Sequence, residues 1–297
     1  MTQVIKVQDM IEAINRSGYL IEQRVEEVLV GKGYAVETNV AYLDNDSRKN
    51  REVDLTAING KAIIDGENHF IFPYLVIECE NNHQPIVFFR SKPRPAIFSL
   101  EAIKLSGLPV SIYYDKDAEP VPLTTVLEAD RYHHYCTGIY YTQYCSFTGG
   151  KDKKPWVATH LDDQHDTFVS LIKSLEYFVS DHYAGYSLPM PGEKEHLNLQ
   201  FYYPLVILQG DLYEAFEEQG EVKMEPREHI QFRKQTVQPE ASQTFHIDVI
   251  RERYLSTFLQ IIDKEMEQIY HTLRHKWAII EDSIEINVQK LRKTPRP

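Results

Sequence analysis

Four carboxylates near the start of the chain have the types and spacing to hold a divalent cation. Glu78 and Glu80 flank Cys79 in the run Tyr74–Glu80, which is otherwise apolar and reads as a buried strand. Side chains two apart in a strand share a face, with Cα atoms about 7 Å apart. The two glutamates therefore lie together, and Leu75, Ile77 and Cys79 take the opposite face. A carboxylate pair inside an apolar strand is costly unless a cation accompanies it, and hard oxygen ligands suit Mg2+. Asp54 is the third, in the alternating segment Glu52–Ile58. Alternation predicts Glu52, Asp54 and Thr56 on one face and Val53, Leu55 and Ala57 on the other. Glu22 is the fourth. Ile21, Val25, Val28 and Leu29 are spaced as one face of a helix over 17–30, capped by Ser17 and ended by Gly31 and Gly33. At about 100° per residue Glu22 falls within about 20° of Leu29, at the rim of the buried face.

In their order, GYLIEQRVEEVLVGKGYAVETN, then REVDL, then YLVIECENN, these segments resemble the PD-(D/E)xK nuclease superfamily. That family places a Glu on its first helix, an Asp on a strand and (D/E)-x-K on the next. The resemblance spans roughly residues 17–82, under a third of the chain, and its motif is short. It implies a restriction-endonuclease-like mixed sheet flanked by helices. It further implies Mg2+, with Mn2+ as a substitute, held by Asp54, Glu78, the backbone carbonyl of Cys79 and Glu80, with Glu22 assisting. The activity implied is endonucleolytic hydrolysis of DNA, leaving a 5′-phosphate and a 3′-hydroxyl. Glu80 stands where the family has lysine. Some restriction enzymes carry E-x-E there and cut; other family members that lost the lysine lost activity. Glu80 would accept a proton from the attacking water or ligate a second metal, and Lys104 is a candidate for a relocated ammonium. The alternative is a catalytically inactive nuclease-fold protein that binds nucleic acid or acts as a scaffold.

The elements that must position these residues follow from periodicity. A strand is expected over 36–43, a short helix over 96–105, a strand over 110–114 and a helix over 166–179 with Phe168, Leu171, Ile172, Leu175 and Phe178 on one side. Strands are expected around 203–213 and 246–250, with a polar loop or hairpin at 217–240. Helix and strand patterns in this order predict an α/β protein, divided as a nuclease-like domain over 1–250 and a helical C-terminal extension over 251–297. In the latter, Leu255, Leu259, Ile262, Met266, Ile269, Leu273, Trp277, Ile280 and Ile284 form a coiled-coil-like stripe. It serves either as a homodimer seam or as helices packed on the chain's own sheet.

Composition sets the outer limits. Hydrophobic residues at 42% exclude disorder as the dominant state. The 32 basic and 44 acidic residues give −12, so net charge offers nothing in favour of nucleic-acid binding. Any DNA contact must come from local clusters: Arg90, Lys92 and Arg94 after the site strand, or Arg48, Lys49 and Arg51 before Asp54. His133, His134, Cys136 and Cys145 lack the spacing of paired zinc knuckles and read as structural or surface residues. Three cysteines, no signal-like N-terminus and no long apolar run lead to an expectation of a cytoplasmic protein without membrane contact.

Overall fold

The computed structural model describes residues 5–17, 19–62, 69–92, 95–115, 118–149, 155–159, 162–184, 198–237 and 242–293. Helices α1 (Val7–Arg16) and α2 (Tyr19–Gly31) lead into strands β1 (Ala35–Asp44), β2 (Lys49–Ile58), β3 (Lys61–Ala62), β4 (Phe70–Glu80) and β5 (Ile86–Arg90). A 3-10 turn at Ala96–Ala102 precedes β6 (Lys104–Leu108), β7 (Ser111–Ile112) and β8 (Val121–Pro122), then two short helices, α3 (Leu123–Val126) and α4 (His134–Thr137). The chain continues through β9 (Tyr140–Thr148), β10 (Val157–Thr159), α5 (Asp162–Ala184), β11 (Asn198–Leu208), β12 (Leu212–Glu218), β13 (Glu221–Pro226), β14 (His229–Val237) and β15 (Ser242–Arg251). It ends with α6 (Leu255–His275) and α7 (Trp277–Lys293).

Among the described residues, thirteen strands form one mixed sheet, with neighbours in the order β1-β2-β4-β11-β15-β14-β9-β5-β12-β13 and β3, β6 and β10 alongside β4, β11 and β9. The centre, β4-β11-β15, is parallel. Parallel neighbours need a long crossover, and the one from β4 to β11 contains α5. Alternation along β4 divides the core. Leu75 and Ile77 face one layer with Ile21, Val25 and Leu29 of α2 and Phe258, Leu259 and Ile262 of α6. Tyr74 and Val76 face the other, with Phe168, Leu171, Ile172, Leu175 and Phe178 of α5. This is the α5 stripe expected from spacing alone. The architecture is thus α/β, a large mixed sheet flanked by helices. Among the described residues, no helix is long and apolar enough to cross a membrane.

Several local expectations change. Ser17 ends α1 instead of capping α2: its amide bonds the carbonyls of Ala13 and Ile14, and its hydroxyl bonds Ile14 at 2.6 Å. The 96–105 segment is a 3-10 turn, because Lys104 and Leu105 already pair with Tyr202 and Phe201 of β11. The 217–240 segment supplies the end of β12 and all of β13 and β14, with every side chain of β13 exposed. Most of the expected 187–198 break lies outside the described residues.

The C-terminal stripe belongs to the chain's own core. Leu255, Leu259, Ile262, Met266, Ile269, Leu273, Ile280 and Ile284 are buried in the layer that holds α2 and the sheet. Of the two roles expected for the stripe, these side chains take the packing on the chain's own sheet. The helix breaks at Lys276 (φ −100°, ψ 17°), whose ammonium bonds Val126 O and Glu128. Past the break, Ser283 and Asn287 bond the β7 segment at Tyr113 N and Ser111 O.

Candidate active site

The site forms where two paired strands separate. β2 pairs with β4 from Ile58–Tyr74 to Leu55–Ile77, and the ladder stops there. β4 continues beside β11 as far as Glu80, opposite Leu208. Cys79, two residues beyond Ile77, has no β2 backbone partner in this ladder; its amide donates to Asp54 Oδ2 at 2.7 Å. A residue's N–H and C=O face the same strand neighbour, so the Cys79 carbonyl faces this gap as well. The separation has a local cause in the β1–β2 hairpin. Asn39, which lies between the pairs Thr38–Leu55 and Val40–Val53, has φ +52°. Beyond it the hairpin turns over: Val53 and Tyr42 join the α5 layer, while Leu55 and Ala57 stay in the α2 layer. The alternation expected across Val53, Leu55 and Ala57 therefore breaks at Asp54.

Glu78 and Glu80 share the α5 face, as the strand period requires. Glu80 accepts a hydrogen bond from the Thr167 hydroxyl. Glu78 interacts with Asp54 and with Ser170 of α5, while its Oε1 is buried with no hydrogen-bond partner. Burial, reinforced by the charges of Asp54 and Glu80, pushes the Glu78 carboxyl up to about 9. Burial also raises Asp54, and the Cys79 amide offsets part of that. Glu22 comes from α2 on the opposite side. Burial and then the Asp54 charge raise its pKa. Asp54 thus couples the two sides of the sheet. The Cys79 thiol packs toward the α2 layer. Burial and the surrounding carboxylates raise its pKa far above the usual thiol range, so it stays protonated and is no nucleophile.

The donor set fits a hard dication. Asp54, Glu78 and the Cys79 carbonyl offer oxygens only. A buried carboxylate oxygen without a donor, on a group forced to keep its proton, is what a missing counter-charge produces. The convergence is narrower than expected. Among the described residues, two other clusters bring three ligand atoms within 4.8 Å of one another, but these carboxylates do not. Glu80 is drawn toward Thr167, and Asp54 with Glu78 forms the tight pair. Mg2+ commonly keeps several waters and takes one or two carboxylates, so the pair is sufficient.

The expected phosphate-binding residues do not gather here. Arg90 is committed to Glu214, which is fully buried on β12: Arg90 Nε donates to Oε2 at 3.0 Å, and Arg227 Nε and the Tyr141 hydroxyl complete the shell. The guanidinium also lies 3.9 Å over the Phe216 ring. These contacts hold Glu214 down to about 2 against its burial. Lys92 is exposed, and Arg94 lies outside the described residues. Arg51 pairs with buried Asp44 at 2.9 Å, together with Lys173 of α5. Lys104 is no relocated catalytic ammonium. It pairs with Tyr202 on β11, six residues from Leu208 beside Glu80, which is about 20 Å along a strand.

Spacing singled out His133 and His134 and set them aside as zinc ligands, and it missed the partners, His229, Asp248 and Glu265, with which they form a second buried polar group. These residues are distributed over α4, β14, β15 and α6, so no local motif joins them. The chain matches no family model, no curated protein and no solved structure.

Proposed function

We propose that the chain is a metal-dependent nuclease that hydrolyses phosphodiester bonds of DNA, with Asp54, Glu78 and the Cys79 carbonyl as the Mg2+ site. One observation carries the reading. At the point where β2 leaves β4, Asp54 holds the Cys79 amide while the neighbouring Glu78 keeps a buried, unpartnered oxygen and an abnormally retained proton. A bound Mg2+ supplies Lewis acidity to the phosphate and lowers the pKa of a coordinated water. Glu78 must first give up its proton, and Asp54 stays fixed by the amide. Glu80, held by the Thr167 hydroxyl, is the carboxylate left to take the proton of the attacking water. Glu22 approaches from α2 and adds negative charge on the far side of Asp54. The family resemblance adds the expectation of 5′-phosphate and 3′-hydroxyl ends.

A silent version of the same site is favoured by two observations: the lysine position holds Glu80 engaged by Thr167, and Arg90 is spent on Glu214. Plasmid and linear DNA incubated with Mg2+ or Mn2+ separate the readings. Cleavage by wild type that Asp54→Ala abolishes and Glu80→Gln lowers by about 100-fold supports the enzyme. No cleavage by wild type, with cleavage by Glu80→Lys, supports the silenced form. No cleavage by any variant in either metal removes the nuclease reading.

A further inference from the structure

We propose that the chain carries a second metal site, for a borderline divalent cation such as Zn2+, formed by His134, His229 and Asp248 in the α6 layer of the core. Three elements supply it. Antiparallel pairing of β14 with β15 sets His229, Gln231 and Arg233 across from Ile250, Asp248 and His246, and α4 lays His134 over them. His229 Nε2 lies 2.7 Å from Asp248 Oδ1, and His134 Nε2 lies 3.1 and 3.0 Å from the two Asp248 oxygens. The three ligand atoms fall within 4.8 Å of one another. Tetrahedral zinc with bonds of about 2.0–2.1 Å keeps its ligand atoms about 3.3 Å apart, so the contacts to Asp248 open by about 0.2 to 0.6 Å to admit the ion.

The surroundings are those of a metal centre. A ligating histidine characteristically donates its other ring N–H to a carboxylate, which fixes the ring and the tautomer. His134 Nδ1 does this to Glu265 Oε1 at 2.6 Å, and the Tyr203 hydroxyl holds the other Glu265 oxygen at 3.3 Å. Asp248 is oriented in turn by the Tyr135 hydroxyl at 3.0 Å, and the His134 carbonyl by Gln231 Nε2 at 2.7 Å. Two imidazoles and one carboxylate select a transition metal over Mg2+.

Charge and unmet hydrogen bonds give independent support. Without a metal, both His134 nitrogens must donate to carboxylates, so the ring is a cation. One such cation faces two buried carboxylates, Asp248 and Glu265, at 0% and 4% exposure. A dication in place of the Nε2 proton balances both. His246, 1% exposed and two residues before Asp248 on the same face of β15, has neither ring nitrogen hydrogen-bonded. Orphaned buried donors and acceptors of this kind call for a ligand or water nearby. His229, on the rim, is the one half-buried ligand of the three.

Elemental analysis and native mass spectrometry of tag-free protein, followed by refolding in EDTA and titration with Zn2+ or Co2+, test the site. The expected result is one ion per chain, a raised melting temperature with Zn2+, and the visible absorption of four- or five-coordinate Co2+. His229→Gln, at the rim, and Glu265→Gln, which keeps the size of the side chain, should each stay folded by circular dichroism; Glu265→Gln should weaken binding by about 10- to 100-fold, and His229→Gln, which removes a ligand, by more. Asp54→Ala should bind Zn2+ as wild type does, which separates this site from the nuclease reading. The proposal is overturned if wild type refolds and melts identically in EDTA and Zn2+ with no ion bound. It is equally overturned if His229→Gln and Glu265→Gln bind the ion as tightly as wild type.

Discussion

Glu78→Gln tests the candidate active site without any assumption about substrate. In the fold Glu78 keeps its proton up to about pH 9, against an ordinary value of 4.5. Between those values unfolding releases that proton, so stability falls as pH rises, by about 1.4 kcal/mol per pH unit for one group. From pH 6 to pH 8 the metal-free wild type should therefore lose about 3 kcal/mol relative to Glu78→Gln, whose amide is neutral throughout and can donate to Asp54. For 297 residues the unfolding entropy is about 0.6 kcal/mol per degree. The gap between the two melting temperatures should therefore change by about 5 °C, with the variant the more stable at pH 8. The assay is thermal melting in EDTA at pH 6, 7 and 8. Added Mg2+ must displace the same proton, so its effect on wild type should grow about tenfold in apparent affinity per pH unit below 9, and the variant should respond weakly. Melting curves that run parallel across this range would refute the buried, proton-holding carboxylate and the metal site built on it.

Three further outcomes follow from the packing. Arg90→Ala strips one guanidinium from buried Glu214 and should cost on the order of 3 kcal/mol in a urea titration; an unchanged midpoint would restore Arg90 as an available phosphate contact. Glu214 is held at about 2 from an ordinary 4.5, so its contribution is full above 4.5 and disappears as pH falls toward 2, where the unfolded chain has already taken the proton. Glu214→Gln should therefore flatten the acid limb of the stability curve in that window, as read by fluorescence. Ile262 is fully buried in the chain's own core, so Ile262→Asp should yield unfolded or insoluble protein through a loss above about 4 kcal/mol. A folded, soluble monomer of that variant, by sedimentation and circular dichroism, would show that the stripe faces a partner.

What the sequence reveals and what it hides divide along chain separation. Glu78 and Glu80 sit together on the α5 face because two residues of strand fix them, whatever surrounds the strand. The α5 stripe is legible for the same reason at helical spacing. The periodic argument fails first at Asp54, since alternation presumes a regular hairpin and Asn39 turns this one over. That failure is also what frees the Cys79 amide for Asp54, so the irregularity and the candidate site are one feature. Arg90 shows the next limit. A cation after a site strand is equally able to meet a phosphate or a carboxylate, and its partner Glu214 lies 124 residues away. The C-terminal stripe marks a buried face but not whose core buries it. The His134 cluster is the extreme case. Its contacts to Asp248 and Glu265 span 114 and 131 residues, and they meet only because α4 and α6 both pack on the face that paired β14 and β15 present. Chemistry confined to one strand pair is therefore readable from spacing, whereas chemistry that needs four elements to meet becomes visible only once the sheet order is known.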